Sequence, residues 1–244
     1  MGAVETYLLD KKVKLLQPEK GFRTGIDTVL AAAACPAGPG QRVLDMGCGV
    51  GGISFCLLHR VPEAKVTGVD IQDDYIRLAQ KNTAINGPGY DIHFVSCDIR
   101  QYSAASPESR FDHVVSNPPF LEAGQHIPSP EEGKARARGH DVSGFDIKAW
   151  IDAGFRNLKS GGSLTIIHRA DALDRIIQAL GRRFGAVEII PLWPRAGVAA
   201  KRVIVRALKD RKSPATLHAG LVLHEADGSY TTGAEAVLRR GVTL

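Results

Sequence analysis

Short apolar runs alternate with longer amphipathic stretches from residue 42 to residue 208. Arg42–Met46 and Lys65–Asp70 have the length and the β-branched content of buried strands. Between these runs, 51–60 and Asp73–Asn86 carry apolar residues at helical spacing, and the second stretch is followed by a glycine. The same alternation predicts further strands at 91–96, 111–116, 163–168, 187–191 and 202–208, and further helices at 146–158 and 171–183.

This alternation predicts one α/β domain, because strands separated by helices of this length form a mostly parallel sheet with helices on both faces. The core of the sheet is predicted over residues 40–210. Residues 1–39 are expected to add a hairpin at 6–17 and a helix. Residues 211–244 are expected to add a hairpin that turns at Asp227-Gly228, a pair typical of tight hairpin turns.

Composition restricts the class of protein. The chain of 244 residues is 44% hydrophobic and 23% charged, which is typical of a folded domain and excludes disordered and collagen-like chains. No run approaches the ~18 apolar residues that a membrane span requires, and the first residues lack a basic-then-apolar export signal, so a cytoplasmic protein is expected. The four cysteines show no CxxC spacing, so we expect reduced thiols and no metal site.

The positive charge is concentrated in one segment. The formal net charge of the chain is +5, yet residues 195–212 contain seven basic residues and a single acid, Asp210. The basic residues are Arg195, Lys201, Arg202, Arg206, Lys209, Arg211 and Lys212. Charges at this density either protect a sheet edge from aggregation or contact the phosphates of a nucleic acid, and composition alone does not separate the two.

A glycine-rich turn follows the first predicted strand of the core. The segment from Val43 to Phe55 reads VLDMGCGVGGISF, in which Gly47, Gly49 and Gly52 satisfy the G-x-G-x-x-G pattern of nucleotide-binding turns. Glycines at these positions allow the backbone to approach a ligand closely in front of a helix N-terminus. By itself the motif is compatible with a nicotinamide cofactor or with S-adenosylmethionine.

Three acidic residues favour S-adenosylmethionine. Asp45 stands two residues before the first glycine, where a carboxylate suits a cationic amino-acid ligand but would repel a pyrophosphate. Asp70 ends the next strand, where it could accept hydrogen bonds from both ribose hydroxyls. Asp98 follows the third strand, where it could accept one from the adenine amino group. Because open α/β sheets bind ligands at the carboxyl ends of their strands, the three acids are expected to line one crevice.

The fourth predicted strand ends in Asn117-Pro118-Pro119-Phe120, beside the same crevice. An amine conjugated to a ring or a carbonyl is a weak nucleophile, because its lone pair is delocalised. The side-chain oxygen of Asn117 and the carbonyl of Pro118 could accept its two N–H groups, and prolines offer no competing donor. Phe120 would stack on a planar base or amide. Methyl transfer then needs chiefly alignment and electrostatics, with no covalent intermediate.

These motifs resemble those of the class I S-adenosylmethionine-dependent methyltransferases, whose amino-group methylators carry an N-P-P-[FY] signature. Residues 17–34, 158–176 and 221–231 extend the resemblance, over nearly the whole chain, to the bacterial valine-tRNA adenosine N6-methyltransferase family. The resemblance implies a Rossmann-like sheet of seven strands with the last strand antiparallel. It also implies S-adenosylmethionine as the cofactor and, as the substrate, an adenine next to the anticodon of a tRNA.

The resemblance also assigns roles to individual positions. The residues that match the family's cofactor site are Arg23, Thr24, Asp27, Asp45, Gly47, Cys48, Gly49, Asp70, Ile71, Asp98, Ile99 and Asn117. The first three belong to a segment that packs against the methionine end of the cofactor, so residues 1–39 are expected to pack on the cofactor site. Asn117, Pro118, Pro119 and Phe120 match the catalytic loop. Many relatives have tyrosine at the last position, and phenylalanine keeps the stacking surface but offers no hydroxyl.

An RNA adenine N6-methyltransferase is therefore the favoured hypothesis. Its expected phosphate contacts are Lys134, Arg136 and Arg138 in the polar segment 124–140, and Arg195, Lys201 and Arg202 in the basic segment. His168, which ends the fifth core strand, is expected to be a structural polar residue. The alternatives are a protein glutamine N5-methyltransferase, since the same loop serves amides, a nicotinamide-dependent oxidoreductase, and a tRNA-binding module without activity.

Overall fold

The predicted alternation of strands and helices is present in the computed structural model of the protein, which describes residues 2–20, 24–87, 89–120 and 146–244. The strands are β1 (Ala3–Leu8), β2 (Val13–Pro18), β3 (Arg42–Met46), β4 (Lys65–Asp70), β5 (Ile92–Ser96), β6 (Phe111–Ser116), β7 (Leu158–Arg169), β8 (Phe184–Trp193), β9 (Arg202–Lys209), β10 (Thr216–Leu217) and β11 (Leu221–Val222). The helices are α1 (Ile26–Ala34), α2 (Gly52–Arg60), α3 (Asp73–Asn86), α4 (Ile147–Asn157), α5 (Leu173–Leu180) and α6 (Thr232–Arg240). In this described part of the chain, no helix has the length and hydropathy to cross a membrane.

Seven long strands form the central sheet in the order β8-β9-β7-β6-β3-β4-β5. Strand β9 runs antiparallel to both of its neighbours, whereas the pairs from β7 to β5 are parallel. This arrangement confirms the Rossmann-like sheet with an antiparallel last strand. Two short strands, β10 and β11, also pair with β8, so the sheet has nine strands in the described residues where seven were expected.

Helices cover both faces of the sheet, because successive side chains of a buried parallel strand point to opposite sides. In β3, Val43 belongs to the hydrophobic cluster that contains Leu30 of α1 and Leu57 of α2. The next residue, Leu44, belongs to a second cluster, which contains Ile151 of α4. All five side chains are completely buried, and the sheet therefore has a hydrophobic core on each face.

Strands β7 and β8 are longer than their sequence patterns predict. Strand β7 begins at Leu158, directly after α4, and its register against β6 shifts near Gly161, which has a left-handed φ of 77°. Strand β8 begins at Phe184, and its register against β9 shifts after Gly185. Alternation of apolar residues is lost at such bulges although the strand continues, so the pattern predicted only the regular part of each strand.

The two flanks differ in how well they follow the prediction. The N-terminal hairpin is present, with β1 antiparallel to β2 around a turn at Asp10. In the C-terminal flank, one antiparallel bridge, between His224 and Tyr230, joins the chain around the Asp227-Gly228 turn, and the longer hairpin that was predicted does not form. Strands β10 and β11 instead join the edge of the main sheet.

Helix α6 was not predicted. The hydroxyl of Thr231 accepts a hydrogen bond from the backbone N–H of Ala234 at 3.1 Å and caps the start of the helix. The helix ends at Arg240 and is capped by Gly241, which has a φ of 71°. Both the threonine cap and the terminal glycine are visible in the sequence, so this helix could have been predicted.

Several loops converge at the carboxyl ends of the parallel strands, and we call this side of the sheet the carboxyl edge. Residues 47–51, 71–72, 97–100 and 117–120 follow the ends of β3, β4, β5 and β6, respectively, because these strands are parallel. Since β9 is antiparallel, its first residue, Arg202, also lies at this edge, opposite Arg169 at the end of β7. Any site formed at the carboxyl edge therefore combines residues from distant parts of the chain.

Candidate active site

The glycine turn between β3 and α2 is held against β4. The backbone N–H groups of Gly47 and Cys48 both donate to the carbonyl of Val69, at 2.8 and 3.1 Å. Gly47 and Gly49 have left-handed φ values of 71° and 53°. A Cβ atom added at Gly47 would lie 3.0 Å from the Trp150 ring, whereas one added at Gly49 would meet no atom of the protein within 4 Å. The turn is thus packed on one side and open at Gly49.

Asp45 is completely buried at the end of β3. One carboxylate oxygen, Oδ2, accepts hydrogen bonds from the hydroxyl and the backbone N–H of Ser54, at 2.6 and 3.1 Å. The other oxygen, Oδ1, is buried and has no hydrogen-bond partner among the described residues. Burial raises the pKa of Asp45 to about 7. The carboxyl group therefore fixes the first turn of α2 and keeps one oxygen unpaired.

Asp70 braces the glycine turn from β4. Its Oδ2 accepts a hydrogen bond from the backbone N–H of Gly49, and its Oδ1 accepts one from the backbone N–H of Gln72, each at 2.9 Å. Burial raises the pKa of this carboxyl group as well. The next residue, Ile71, is 59% exposed, although it is a large apolar side chain. An acid beside an exposed apolar surface suits a ribose joined to a flat base.

Asp98 follows β5 and is engaged by a neighbour. Arg100 donates to both carboxylate oxygens of Asp98 through Nε and Nη2, and its backbone N–H donates to Oδ1. These hydrogen bonds lower the pKa of Asp98. A donor from a ligand would therefore share this carboxylate with Arg100. Ile99, between the two, is buried.

Asn117 begins the loop after β6, and its side-chain oxygen is buried without a hydrogen-bond partner among the described residues. The end of β6 is fixed by a relay in which Trp150 Nε1 donates to the Ser116 hydroxyl at 2.9 Å, and that hydroxyl donates to the carbonyl of Met46 at 2.7 Å. Sequence analysis missed Ser116, Trp150 and Ser54. Neither a tryptophan in a helix nor a serine in a strand signals such a contact.

The rest of the loop is partly enclosed. Pro118 is buried, Pro119 is exposed and Phe120 is half-buried. The ring of Phe120 meets the ring of His168 in an edge-to-face arrangement, with the ring centroids 5.1 Å apart. The guanidinium carbon of Arg202 lies 4.7 Å from the centroid of the same Phe120 ring. The structure therefore brings together a loop residue, the end of β7 and the start of β9.

The N-terminal segment reaches the carboxyl edge through Thr24 and Asp27. A Cβ atom added at Gly52 would lie 2.8 Å from Thr24 Cγ2, so Thr24 packs on the glycine turn. Asp27 Oδ2 accepts a hydrogen bond from Arg202 Nε at 2.9 Å. Arg23 lies outside the described residues.

The basic segment 195–212 does not form one continuous surface. Arg195 and Lys201 are exposed near the carboxyl edge. Arg206 pairs with Glu188, and Lys209 donates to backbone carbonyls at the end of α4. Because β9 has eight residues, its two ends lie roughly 25 Å apart, and residues 209–212 are at the opposite edge of the sheet. Lys134, Arg136, Arg138 and the segment 124–140 lie outside the described residues.

The chain is similar to several methyltransferases. Residues 25–129 match the family called Methyltransferase small domain. A tRNA1(Val) (adenine(37)-N6)-methyltransferase of Proteus mirabilis is 33% identical over 86% of this chain and 83% of its own length. A release factor glutamine methyltransferase of Chlorobaculum tepidum is 30% identical over 75% of this chain and 65% of its own length. The solved structure of a predicted O-methyltransferase of Agrobacterium tumefaciens has a TM-score of 0.72 and 25% identity, covering 89% of this chain and 98% of that one.

The sheet topology, the carboxyl-edge site and these similarities define an S-adenosylmethionine-dependent methyltransferase of the amino-group type. This class resolves the choice between the two cofactors that the glycine turn leaves open. Within the class, the chain belongs to the tRNA1(Val) (adenine-N6)-methyltransferase family. The residues present fit the cofactor, because Gly49 faces open space beside Asp70 and because a buried oxygen of Asp45 is unpaired within the described structure. In the same residues, no cluster of three or more His, Cys, Asp or Glu side chains could hold a metal ion.

Proposed function

We propose that the protein transfers a methyl group from S-adenosylmethionine to the N6 amino group of an adenine in tRNA, next to the anticodon. The observation that carries this proposal is the side-chain oxygen of Asn117, which is buried and without a partner among the described residues. It lies in the loop after β6, and β6 is paired with β3, whose end leads into the glycine turn. Relatives named for this reaction support the proposal.

The cofactor side of the site is formed by residues after β3, β4 and β5. Gly47, Cys48 and Gly49 present backbone to the ligand, and Asp70 would accept hydrogen bonds from the ribose hydroxyls. Ile71 offers an exposed apolar surface to the adenine ring. When bound, S-adenosylmethionine supplies a methyl group on a positively charged sulfur. The unpaired oxygen of Asp45 would favour the cationic end of such a ligand.

The acceptor side acts on the amine. Asn117 Oδ1 and the carbonyl of Pro118 would accept the two N–H groups of the exocyclic amine and direct its lone pair away from the ring. An acceptor that is already buried and oriented needs no reorganisation when the charge on nitrogen changes, and such preorganisation is usually the largest single contribution to enzymatic rate enhancement. Phe120 would contact the planar base. The residues hold and orient the amine, and the proton it loses passes to water.

RNA is expected to approach along the exposed basic side chains at the carboxyl edge. Arg195 and Lys201 are exposed there and would contact phosphates. Lys134, Arg136 and Arg138 are proposed as further phosphate contacts on the basis of sequence alone. Arg202 was grouped with them, but its side chain is engaged with Asp27 and Phe120.

A methyl-transfer assay with two acceptors tests the proposal. Bulk tRNA from cells that lack the protein, and separately a purified release factor, would be incubated with the enzyme and with S-adenosylmethionine labelled in its methyl group. We expect label in tRNA, recovered as N6-methyladenosine by nucleoside mass spectrometry, and a rate of labelling lower by about 10²-fold or more with the Asn117→Ala variant. Label confined to the release factor would overturn the proposal and establish glutamine methylation instead.

A further inference from the structure

Arg202 connects the two parts of the carboxyl edge that lie furthest apart in the sequence. Its Nε donates to Asp27 of α1 at 2.9 Å, and its Nη1 donates to the carbonyl of Lys201 at 3.2 Å. Its guanidinium lies over Phe120, with the Cζ-to-centroid distance of a cation–π contact. Two of its nitrogen atoms are therefore hydrogen-bonded within the fold, and the guanidinium also contacts the Phe120 ring.

The surroundings of Phe120 strengthen this arrangement. The His168 ring packs edge to face against Phe120, is 2% exposed and has no hydrogen-bond partner for either nitrogen among the described residues. Burial lowers the pKa of His168, so the ring is neutral and does not repel the guanidinium. Phe120 thus contacts both a neutral ring on β7 and a cation on β9.

The ion pair with Asp27 is shielded from water more than a surface pair is. The side chain of Asp27 is 19% exposed and that of Arg202 is 34% exposed. Asp27 lies three residues after Thr24, which packs on the glycine turn at Gly52. The chain of contacts consequently runs from the glycine turn, through α1 and Arg202, to the ring of the acceptor loop.

We propose that Arg202 is a positioning residue, which fixes Phe120 and with it the loop of Asn117 relative to the cofactor side of the site. This inference rests on the proposed function and changes the role expected for Arg202 from a phosphate contact to a support of the catalytic loop. A phosphate contact would have to give up the pair with Asp27. Lys201, the preceding residue, is exposed and remains the expected phosphate contact.

Kinetics and RNA binding of matched variants separate the two roles. Arg202→Ala, Arg202→Lys and Asp27→Asn would be compared with Lys201→Ala, as a phosphate contact, and with Arg169→Ala. Arg169 is a matched control, because its substitution removes the same charge at the same edge and its side chain pairs with Asp171 rather than with Asp27. For each variant, kcat and KM for tRNA would be measured, and the Kd for tRNA would be measured by filter binding without cofactor.

We expect Arg202→Ala and Asp27→Asn to lower kcat at least tenfold while the Kd for tRNA changes less than threefold. The double variant Arg202→Ala/Asp27→Asn should have a kcat no lower than that of the slower single variant, because both substitutions break the same connection. Arg202→Lys should fall between wild type and Arg202→Ala, since lysine keeps the charge but not the planar group. Lys201→Ala should raise the Kd, and Arg169→Ala should leave kcat unchanged.

The inference is wrong if Arg202→Ala weakens tRNA binding as Lys201→Ala does while kcat is retained. It is equally wrong if Arg169→Ala lowers kcat as much as Arg202→Ala. Should Arg202→Ala not fold, Arg202→Lys and Asp27→Asn decide by the same kcat and Kd criteria. A wild-type enzyme that methylates no tRNA overturns the proposed function itself, which distinguishes that failure from the failure of this inference.

Discussion

The carboxyl edge has a cofactor half, formed by the residues after β3, β4 and β5, and an acceptor half, formed by the loop after β6 and the end of β7. The two halves differ in how far their polar groups are hydrogen-bonded within the protein. In the cofactor half, Asp70 uses both oxygens to hold backbone N–H groups, and Asp98 is paired with Arg100. In the acceptor half, the oxygen of Asn117 and both ring nitrogens of His168 are buried without a partner among the described residues. The cofactor half is satisfied internally except for Oδ1 of Asp45, whereas the acceptor half keeps hydrogen-bonding capacity unused at the start of its loop.

This difference affects the stability of the free protein. An unsatisfied buried polar group costs roughly 1–3 kcal/mol, so the acceptor half lowers the stability of the free protein. Under the proposed function, the unpaired oxygen of Asn117 would accept from the bound amine without competition from described neighbours. In the cofactor half, Asp70 instead holds the backbone N–H groups of Gly49 and Gln72. Variants in the two halves should therefore separate activity from stability.

The largest effect is expected for Asn117→Ala. Loss of one preorganised hydrogen-bonding group typically lowers kcat by about 10²–10³-fold. The free energy of unfolding should not decrease, because the oxygen that is removed has no partner among the described residues. Single-turnover methyl transfer and urea unfolding measure the two quantities. Asn117→Asp, which keeps an acceptor, should retain more activity. A decrease in the free energy of unfolding as large as the loss of transition-state stabilisation would contradict the difference between the halves.

Asp70→Ala should affect stability as well as binding. The substitution leaves the N–H groups of Gly49 and Gln72 without their acceptor, at a cost of about 2 kcal/mol or more. For a chain of this size that corresponds to a decrease in Tm of roughly 4–8 °C. Calorimetric titration with S-adenosylhomocysteine should show weaker binding. Asp70→Asn keeps one acceptor, so its Tm and its affinity should lie between those of wild type and of Asp70→Ala. An unchanged Tm for Asp70→Ala would show that the carboxylate is not a structural brace.

The buried carboxyl of Asp45 should make stability depend on pH. Its pKa is raised from the ordinary 3.8 to about 7, so between these values the folded protein holds a proton that the unfolded chain has released. Stability from this group is therefore fully present below about pH 4 and is lost as the pH rises to about 7. Urea unfolding at several pH values between 5 and 8 would compare wild type with Asp45→Asn. Wild type should lose stability relative to the variant as the pH rises. Parallel curves would contradict the assignment.

The smallest effect is expected for Arg100→Ala. Its partner Asp98 is partly buried, but the Arg100 side chain is 59% exposed, and exposed pairs typically contribute less than about 1 kcal/mol. Cofactor affinity should change less than about threefold, because Asp98 remains available to accept from a ligand. Calorimetric titration measures this change. A tenfold loss of affinity would show that Arg100 itself belongs to the cofactor site.

Local motifs indicated both halves of the carboxyl edge, but not the contact that connects them. The glycine turn and Asp70 are close in sequence to the strands that position them, so strand and turn patterns were sufficient. The pair of Asp27 and Arg202 joins residues 175 positions apart, and no local pattern indicates it. The excess of positive charge was visible in the sequence. Which of the basic residues lie at the carboxyl edge was not visible, because that follows from the antiparallel direction of β9.

The position of β9 has a consequence for synthesis of the chain. Strand β9 lies between β7 and β8, although both precede it in sequence. A nascent chain that ends before residue 202 has β8 without the neighbour that joins it to the sheet, and its exposed edge is prone to aggregation. The cofactor half can fold earlier, since its strands are neighbours that are already synthesised. The ribosome must therefore extend the chain through β9 before Phe120 has its support, and a prematurely terminated product would lack a completed acceptor loop.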